Sequence, residues 1–478
     1  RVPRWHDPDH PVLLGAVQPQ EAWGLGRAGG EAFFDSDLGS TIDLAFSEFA
    51  DLTGRRHRSL SAHRLEDATL ILVAQGAAVE TAEVVADYLR DTQRMKVGVL
   101  GVRCLRPFPG AEAARLLGVG ARVCVLERVD TPLAGDPPLL RELRAALGRA
   151  LENGRFGDDH YPGYPALRER HQPRFLSVVY GLGGLPLRAA DLAALCREAE
   201  TVRKPRVYLG MAFSLSSSPY PKRQVLLDRL RRSYPEIAGL GLCAEGPQPD
   251  LRSEGAISLS LYRVSGGPGE ALTTEVAQLL QRLLGGGLRC RPGDVSAAWG
   301  DVCASRVYTG TEGLLKDPGD VPPVDLALLA MDPTLPGAQI REDLAAGGSL
   351  LVQSVLPDDA LWAHLTNGLR TTLRQTAGGL FRVPPPESAV KSTSDYLLGA
   401  LCGVLLETGR LDLTRRRLNG AREELLGVTA DAQQRMEWFE AGLDAIRKID
   451  LAALPDVPAQ SATDGGDEAP GLVRRLGN

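Results

Sequence analysis

Between Asp67 and Gly154 the sequence alternates so regularly between apolar runs and amphipathic stretches that few folds remain open to it. "ATLILVAQG" (68–76) is almost wholly apolar, as a strand buried on both faces requires. It passes at once into "AVETAEVVADYLRDT", where Val79, Ala82, Val85, Ala86 and Leu89 share one helical face. "KVGVLGV" supplies a second strand, "GAEAARLLG" a short helix, "ARVCVLER" a third strand and "DPPLLRELRAALGRALENG" a closing helix. Links this short between strand and helix predict a parallel sheet with right-handed crossovers, and so an α/β fold.

The pattern resumes after a polar, aromatic and proline-dotted link, "GRFGDDHYPGYPALRERHQP" (154–173). "RFLSVVYGLGG" and "RAADLAALCREAE" make another strand–helix step, and "PRVYLGMAF" adds a strand. A second α/β unit begins near Ala256: the strand "AISLSLYRV", the glycine turn "SGGPGE" and the amphipathic helix "ALTTEVAQLLQRLL". "VDLALLAMDP" and "GGSLLVQSVLP" read as buried strands, "SDYLLGALCGVLLETG" as a mostly buried helix and "ADAQQRMEWFEAGLDAIRKID" as the last helix. Ahead of all this, a Pro/His-rich opening leads into the helix "STIDLAFSEFADLTGR", with Ile42, Leu44, Ala45, Phe46 and Phe49 as its apolar face and Ser40 or Thr41 as its cap. The last stretch, 456–478, is too polar to bury a core and reads as tail or linker. The boundaries that follow are 1–66, 67–200, a connecting α/β segment 201–255, 256–455 and 456–478.

Composition narrows the function. A chain of 478 residues with net charge -6 has room for several domains and no basic footprint for nucleic acid. No apolar run approaches the roughly 18 residues of a membrane span and no signal peptide is visible, so a cytoplasmic setting is expected. The first residue is Arg1 rather than methionine, which suggests processing, renumbering or a piece of something longer. Cysteines 104, 124, 196, 243, 290, 303 and 402 form no C-x-x-C pair, which predicts reduced, structural thiols rather than disulfides, zinc or iron–sulfur ligation. Histidines 6, 10, 57, 63, 160, 171 and 364 are scattered, without H-E-x-x-H, and no G-x-S-x-G occurs. Asp158, Asp159 and His160 lie together in a hydrophilic link, either a solvated loop or a metal site; "TRRRLNGAR" is a solvated face or a subunit contact.

Two places invite chemistry. The turn "VSGGPGEALTTE" stands between a strand and a helix, where backbone amides receive phosphate, yet it is neither a Walker A loop nor G-x-G-x-x-G, and Glu270 would repel an anion. The other is the end of the run 97–102, where Arg103 and Arg106 flank Cys104 and Leu105 before Pro-Phe-Pro. In a parallel sheet such a strand end lies at the edge where loops meet ligands or neighbouring domains.

The order of the fragments "HPVLLGAVQPQEAW", "FADLTGR", "ILVAQGAAVETAEVVADYLR", "VGVLGVRCLRPFP", "VCVLERVDTPLAGDPPLLREL" and "VVYGLGG" resembles the middle of pyruvate:ferredoxin oxidoreductases. The resemblance implies that 1–66 closes a thiamine-type, pyrimidine-binding-like domain, that 67–200 is a transketolase C-terminal-like domain and that 256–455 is a gamma-type domain, with Asp332 and Pro333 at a strand end. It implies joint roles for Arg103, Arg106 and Arg128, and a coenzyme A contact at Ser265, Gly266, Gly267 and Gly269, although the family's lysine in that loop is replaced here by uncharged or acidic residues. The G-D-G motif and the cluster-spaced cysteines of the family are absent from this sequence. Thiamine diphosphate, magnesium and iron–sulfur clusters are therefore expected on partner subunits of a dimeric complex, with no catalytic residue or metal ligand on this chain. Two readings stay open: a subunit or segment of a 2-oxoacid:ferredoxin oxidoreductase, or an architectural relative in a larger redox complex.

Overall fold

In a computed structural model of the protein the described residues are 9, 17–32, 36–118, 121–129, 131, 133–157, 160–211, 221–244, 249–252, 256–264, 271–285, 288–296, 302–309, 323–331, 340, 344–376, 378–386, 393–409, 413–427 and 429–455. The chain forms two compact units, one of Arg1–Val79, Thr92–Leu185 and Leu195–Leu242, the other of Glu80–Asp91, Pro186–Ala194 and Cys243–Asn478.

Up to residue 242 the elements are α1 (Gln20–Gly30), α2 (Ser36–Thr53), β1 (Leu60–His63), β2 (Leu70–Ala74), α3 (Ala77–Gln93), β3 (Val97–Val102), α4 (Gly110–Leu117), β4 (Arg122–Glu127), α5 (Pro138–Phe156), β5 (Arg174–Val179), α6 (Ala189–Glu198), β6 (Arg206–Leu209), α7 (Pro221–Ser233), α8 (Pro235–Ala238) and β7 (Gly241–Leu242). They yield a sheet of order β1-β3-β2-β4-β5-β6-β7. All neighbours are parallel except β1, which pairs antiparallel with β3 at the edge. The sheet thus draws one strand from before residue 67 and two from after residue 200. Every residue of β2 and β3 is buried, as their unbroken apolar runs require. On one face Ile71, Val73, Leu100, Val123 and Val125 pack with Ala113 and Leu117 of α4 and with Leu139, Leu140 and Leu143 of α5. Each such leucine contributes about 1.5–3 kcal/mol by leaving water. Gly101 is required in β3, because a Cβ there would run into Val79 and the Ser61 hydroxyl.

Two local expectations change. Ser40 and Thr41 do not cap α2: the helix begins at Ser36, and both hydroxyls donate back to the Asp37 carbonyl inside it. The polar link is tied down at its described residues, since the buried Asn153 side chain donates to the Tyr161 and Tyr164 carbonyls and accepts from Tyr161 N–H. Gly154 lets the Leu167 backbone lie directly on α5.

The second unit continues with β8 (Ile257–Val264), α9 (Leu272–Leu284), β9 (Leu288–Ser296), β10 (Val302–Thr309), β11 (Val324–Ala330), β12 (Leu344–Gln353), α10 (Asp358–His364), α11 (Asn367–Gln375), β13 (Gly379–Val383), α12 (Thr393–Thr408), α13 (Arg415–Leu426), α14 (Ala432–Ala445) and β14 (Arg447–Ile449). Its sheet runs β14-β13-β12-β11-β8-β10-β9. β8, β11, β12 and β13 are parallel; β10, β9 and β14 join antiparallel at the two sides. One face is covered by α9, α12, α13 and α14, the other by α10 and α11 around Trp362. The last helix is shorter than its sequence suggests. Phe439 and Leu443 of α14 pack on the first face while Ile449 is buried with the second, so the chain must leave the helix and round the sheet edge as β14.

Candidate functional site

Because β2, β4, β5 and β6 run the same way, their carboxyl ends share one edge. The chain leaves β2 for β3 on one side and then crosses to β4 on the other. Such a reversal opens the crevice where α/β sheets accept ligands. Gly76, at φ 62°, turns β2 into α3 there.

Glu127 ends β4 and is buried, yet its carboxylate accepts the N–H groups of Leu139 at 2.6 Å and Leu140 at 3.2 Å. Pro137 offers α5 no side-chain cap, so this carboxylate performs the capping from the neighbouring strand. Burial pushes the Glu127 carboxyl above its ordinary range; the two amides and Arg141 oppose this without overcoming it. Arg128, the next residue, is exposed. Its stem lies where a Cβ on Gly181 would stand, and Gly181 holds φ 70°, so glycine is needed twice over. Tyr180 precedes it; burial raises its hydroxyl pKa and the Arg128 charge lowers it.

The other two arginines find different partners. Arg103 donates through Nη1 to the Arg58 carbonyl at 2.9 Å and through its backbone to the Ser59 carbonyl at 2.9 Å, tying the end of β3 to the segment before β1. Arg106 donates to the Leu105 carbonyl and to Glu142 of α5, both at 2.8 Å, beside the cis bond to Pro107. Since β2 lies between β3 and β4, the ends carrying Arg103 and Arg128 are about 10 Å apart. The three expected joint arginines therefore occupy separate places on the edge. Ser265, Gly266, Gly267 and Gly269 lie outside the described residues, as do Asp158, Asp159, Asp332 and Pro333.

The second unit holds a cluster that the sequence reading missed. Arg435 of α14 chelates Asp395 of α12, with Nε 3.1 Å from both oxygens, and meets Glu275 of α9 at 2.6 Å. Burial, then the Asp395 charge, raise the Glu275 carboxyl pKa despite the arginine. All three residues stand in or near first helical turns, and that placement was the only sequence signal. A cleft of about 370 Å³ opens at the carboxyl ends of β11 and β12 beside Met331, Gln353 and Val355. A larger one, about 820 Å³, lies at the opposite, amino-terminal side of β13 and away from this edge.

Residues 68–156, the strands and helices that build this edge, match the family profile described as pyruvate:ferredoxin oxidoreductase core domain II. Over this domain the chain is similar to the pyruvate:ferredoxin oxidoreductase family. Among relatives, pyruvate synthase subunit PorA of Methanothermobacter thermautotrophicus is 29% identical over 205 residues, 43% of this chain and 47% of the relative. A probable pyruvate-flavodoxin oxidoreductase of Escherichia coli is 30% identical over 238 residues, 49% of this chain and 19% of the relative. The chain thus spans less than half the length of these relatives. The pyruvate oxidoreductase subunit PORC of Thermotoga maritima aligns with 41% of the chain and 100% of its own, at TM-score 0.30 and 16% identity, a likeness too slight to argue from.

Among the described residues no three His, Cys, Asp or Glu side chains converge as metal ligands. Burial raises the thiol pKa of Cys124, Cys196 and Cys402, that of Cys124 to about 12, so these behave as small apolar groups rather than thiolate ligands.

Proposed function

We propose that this chain is a segment of a 2-oxoacid oxidoreductase of the pyruvate:ferredoxin type, supplying a transketolase C-terminal-like domain and a gamma-type domain. Other chains or segments hold thiamine diphosphate, magnesium and the iron–sulfur clusters. The assembly decarboxylates a 2-oxoacid oxidatively to an acyl-coenzyme A and passes the electrons to ferredoxin. The match over residues 68–156 carries the reading. Arg103 and Arg106 then serve as joint residues, and Arg128 presents a positive charge at the strand edge. The setting is the cytoplasm; among the described residues no helix is long and apolar enough to cross a membrane.

The test is reconstitution. The purified chain alone is expected to give no 2-oxoacid decarboxylation and no visible iron–sulfur absorption. A partner bearing G-D-G and cluster-spaced cysteines is expected to reduce a low-potential acceptor with 2-oxoacid only when this chain is added. Turnover by the isolated chain would overturn the division of labour. The loop sequence "SGGPGEALTTE", without the family lysine, favours a second reading as an architectural subunit. On that reading substituting Gly267 leaves coenzyme A dependence of the assembly unchanged.

A further inference from the structure

The first turn of α9 is tied down by a guanidinium that lies 160 residues away in sequence. Arg435 donates through Nη2 both to Glu275 at 2.6 Å and to Asp395 at 2.8 Å, so one nitrogen serves two carboxylates. The side chains are largely buried, that of Glu275 16% exposed and that of Asp395 5%. With both carboxylates ionised, the cluster carries one negative charge more than the arginine balances. Glu275 also keeps its second oxygen, Oε2, buried without a hydrogen-bond partner. Two residues earlier the Thr273 hydroxyl is buried and unpartnered as well. Each such atom is a cost to the closed turn that contact with water removes. The turn is thus poorly satisfied, although the helix beyond it is well packed through Val276, Ala277, Leu279, Leu280 and Leu283.

We propose that Arg435, Asp395 and Glu275 form a proton-operated latch on the first turn of α9. With one proton between the two carboxylates the charges balance and the turn stays closed. As pH rises and that proton leaves, the excess buried charge is relieved by opening the turn, which hydrates Glu275 and Thr273 together. Glu275 is the member that moves. Arg435 holds Asp395 through both Nε and Nη2 but holds Glu275 through Nη2 alone. Burial, then the Asp395 charge, make Glu275 the carboxyl that keeps its proton to higher pH. The other charges around α9 are engaged elsewhere. Asp431 of α14 stands near the arginine, and Arg263 at the end of β8 turns to the Val264 carbonyl and lines the same small cavity as Thr273. α13 meets the far end of α9, where Glu424 faces Arg282 and Arg417 donates to the Leu283 carbonyl. From β10 the apolar Val307 packs in this core. The latch does not rest on the functional reading above.

The test is amide hydrogen exchange of the full chain from about pH 5 to about pH 8, each rate divided by its intrinsic value. The reporters are the amides of Glu275, which bonds the Ala271 carbonyl at 3.1 Å, and of Val276. Their protection is expected to fall about tenfold across that range, while the amides from Leu279 to Leu283 lose much less. Glu275→Gln, which cannot ionise, should keep the turn protected throughout. Asp395→Asn should do the same, because Glu275 and Arg435 then balance one to one. Should Asp395→Asn fail to fold, the Glu275→Gln profile decides alone. Glu440→Gln, which alters the Arg422 pair elsewhere on α14, should leave the wild-type profile unchanged. A flat wild-type profile, a pH dependence that survives Glu275→Gln, or an equal loss along the whole of α9 would overturn the latch.

Discussion

Helices α2 and α12 are of similar length and both rich in apolar residues, yet they have opposite fates. In α12 every residue from Thr393 to Leu405 is buried, whereas none of the described side chains of α2 is. Apolar content does not separate them; its distribution around the axis does. Leu397, Leu398, Leu401, Val404 and Leu405 leave α12 no polar side, so it must be covered from several directions, and α9, α13, α14 and the sheet do so. α2 gathers most of its apolar residues toward one side and carries Asp37, Asp43, Glu48 and Asp51 among small and polar residues elsewhere. A helix of the second kind keeps an unspent apolar stripe, and such stripes mark contact surfaces.

Glycine substitution breaks this contrast most sharply. In an exposed helix Gly→Ala gains about 0.5–1 kcal/mol from backbone entropy alone. At Gly399 a Cβ would collide with the Phe439 carbonyl, and at Gly442 with the Tyr396 carbonyl, because α12 and α14 touch backbone to backbone. Gly399→Ala should therefore reverse the ordinary sign and destabilise the second unit by about 1–3 kcal/mol, the usual range for overpacking. Denaturant midpoints measure it. A stabilised variant would mean that the helices can part at little cost.

A smaller effect should appear as a slope against pH. Arg435 joins α14 to Asp395 and Glu275, and Asp431 adds a further negative charge near the arginine. The Glu275 carboxyl pKa is raised in the folded unit, by burial first and by Asp395 second. The folded state therefore holds a proton that the unfolded chain releases earlier. This contribution is full below the ordinary carboxylate range and is lost as pH rises through the raised value. Glu275→Gln, which cannot titrate but still accepts from Arg435, should flatten that decline in the thermal midpoint. An unchanged slope would assign the titration elsewhere.

Where the sequence was readable, composition did the work. The runs 70–74 and 97–102 admit no exposed face, so the parallel sheet followed from them. Strands β9 and β10 were invisible: "LRCRPGDVS", at the sheet edge, mixes charge, proline and glycine as loops do, and "VCASRVYT", between β8 and β9, is broken by Ser305 and Arg306 into runs too short to read as a strand. β14 was hidden inside a helical periodicity that only the two-sided burial of Leu443 and Ile449 interrupts. At the candidate site Arg103 and Arg106 stood out because Pro107 ends their strand. Glu127 gave no sign of its role, since Leu139 and Leu140 lie across a proline-rich turn. Arg435 meets partners 40 and 160 residues away, and spacing along a chain carries no trace of such a meeting.

The smallest predicted effect belongs to α2, where it isolates the unburied helix from the rest. Gly39 lies within the helix, and a Cβ there would meet nothing within 4 Å. Gly39→Ala should then show the ordinary gain of about 0.5–1 kcal/mol, a slowing of amide exchange in α2 of roughly two- to fivefold. Because α2 has no described buried side chain coupling it to the sheet, the global denaturant midpoint should not follow. If the midpoint rises together with the α2 protection, the helix unfolds with its unit, and its seam must then be covered within a single chain. If exchange slows locally and the midpoint stays, α2 is a separate element whose burial has to come from outside.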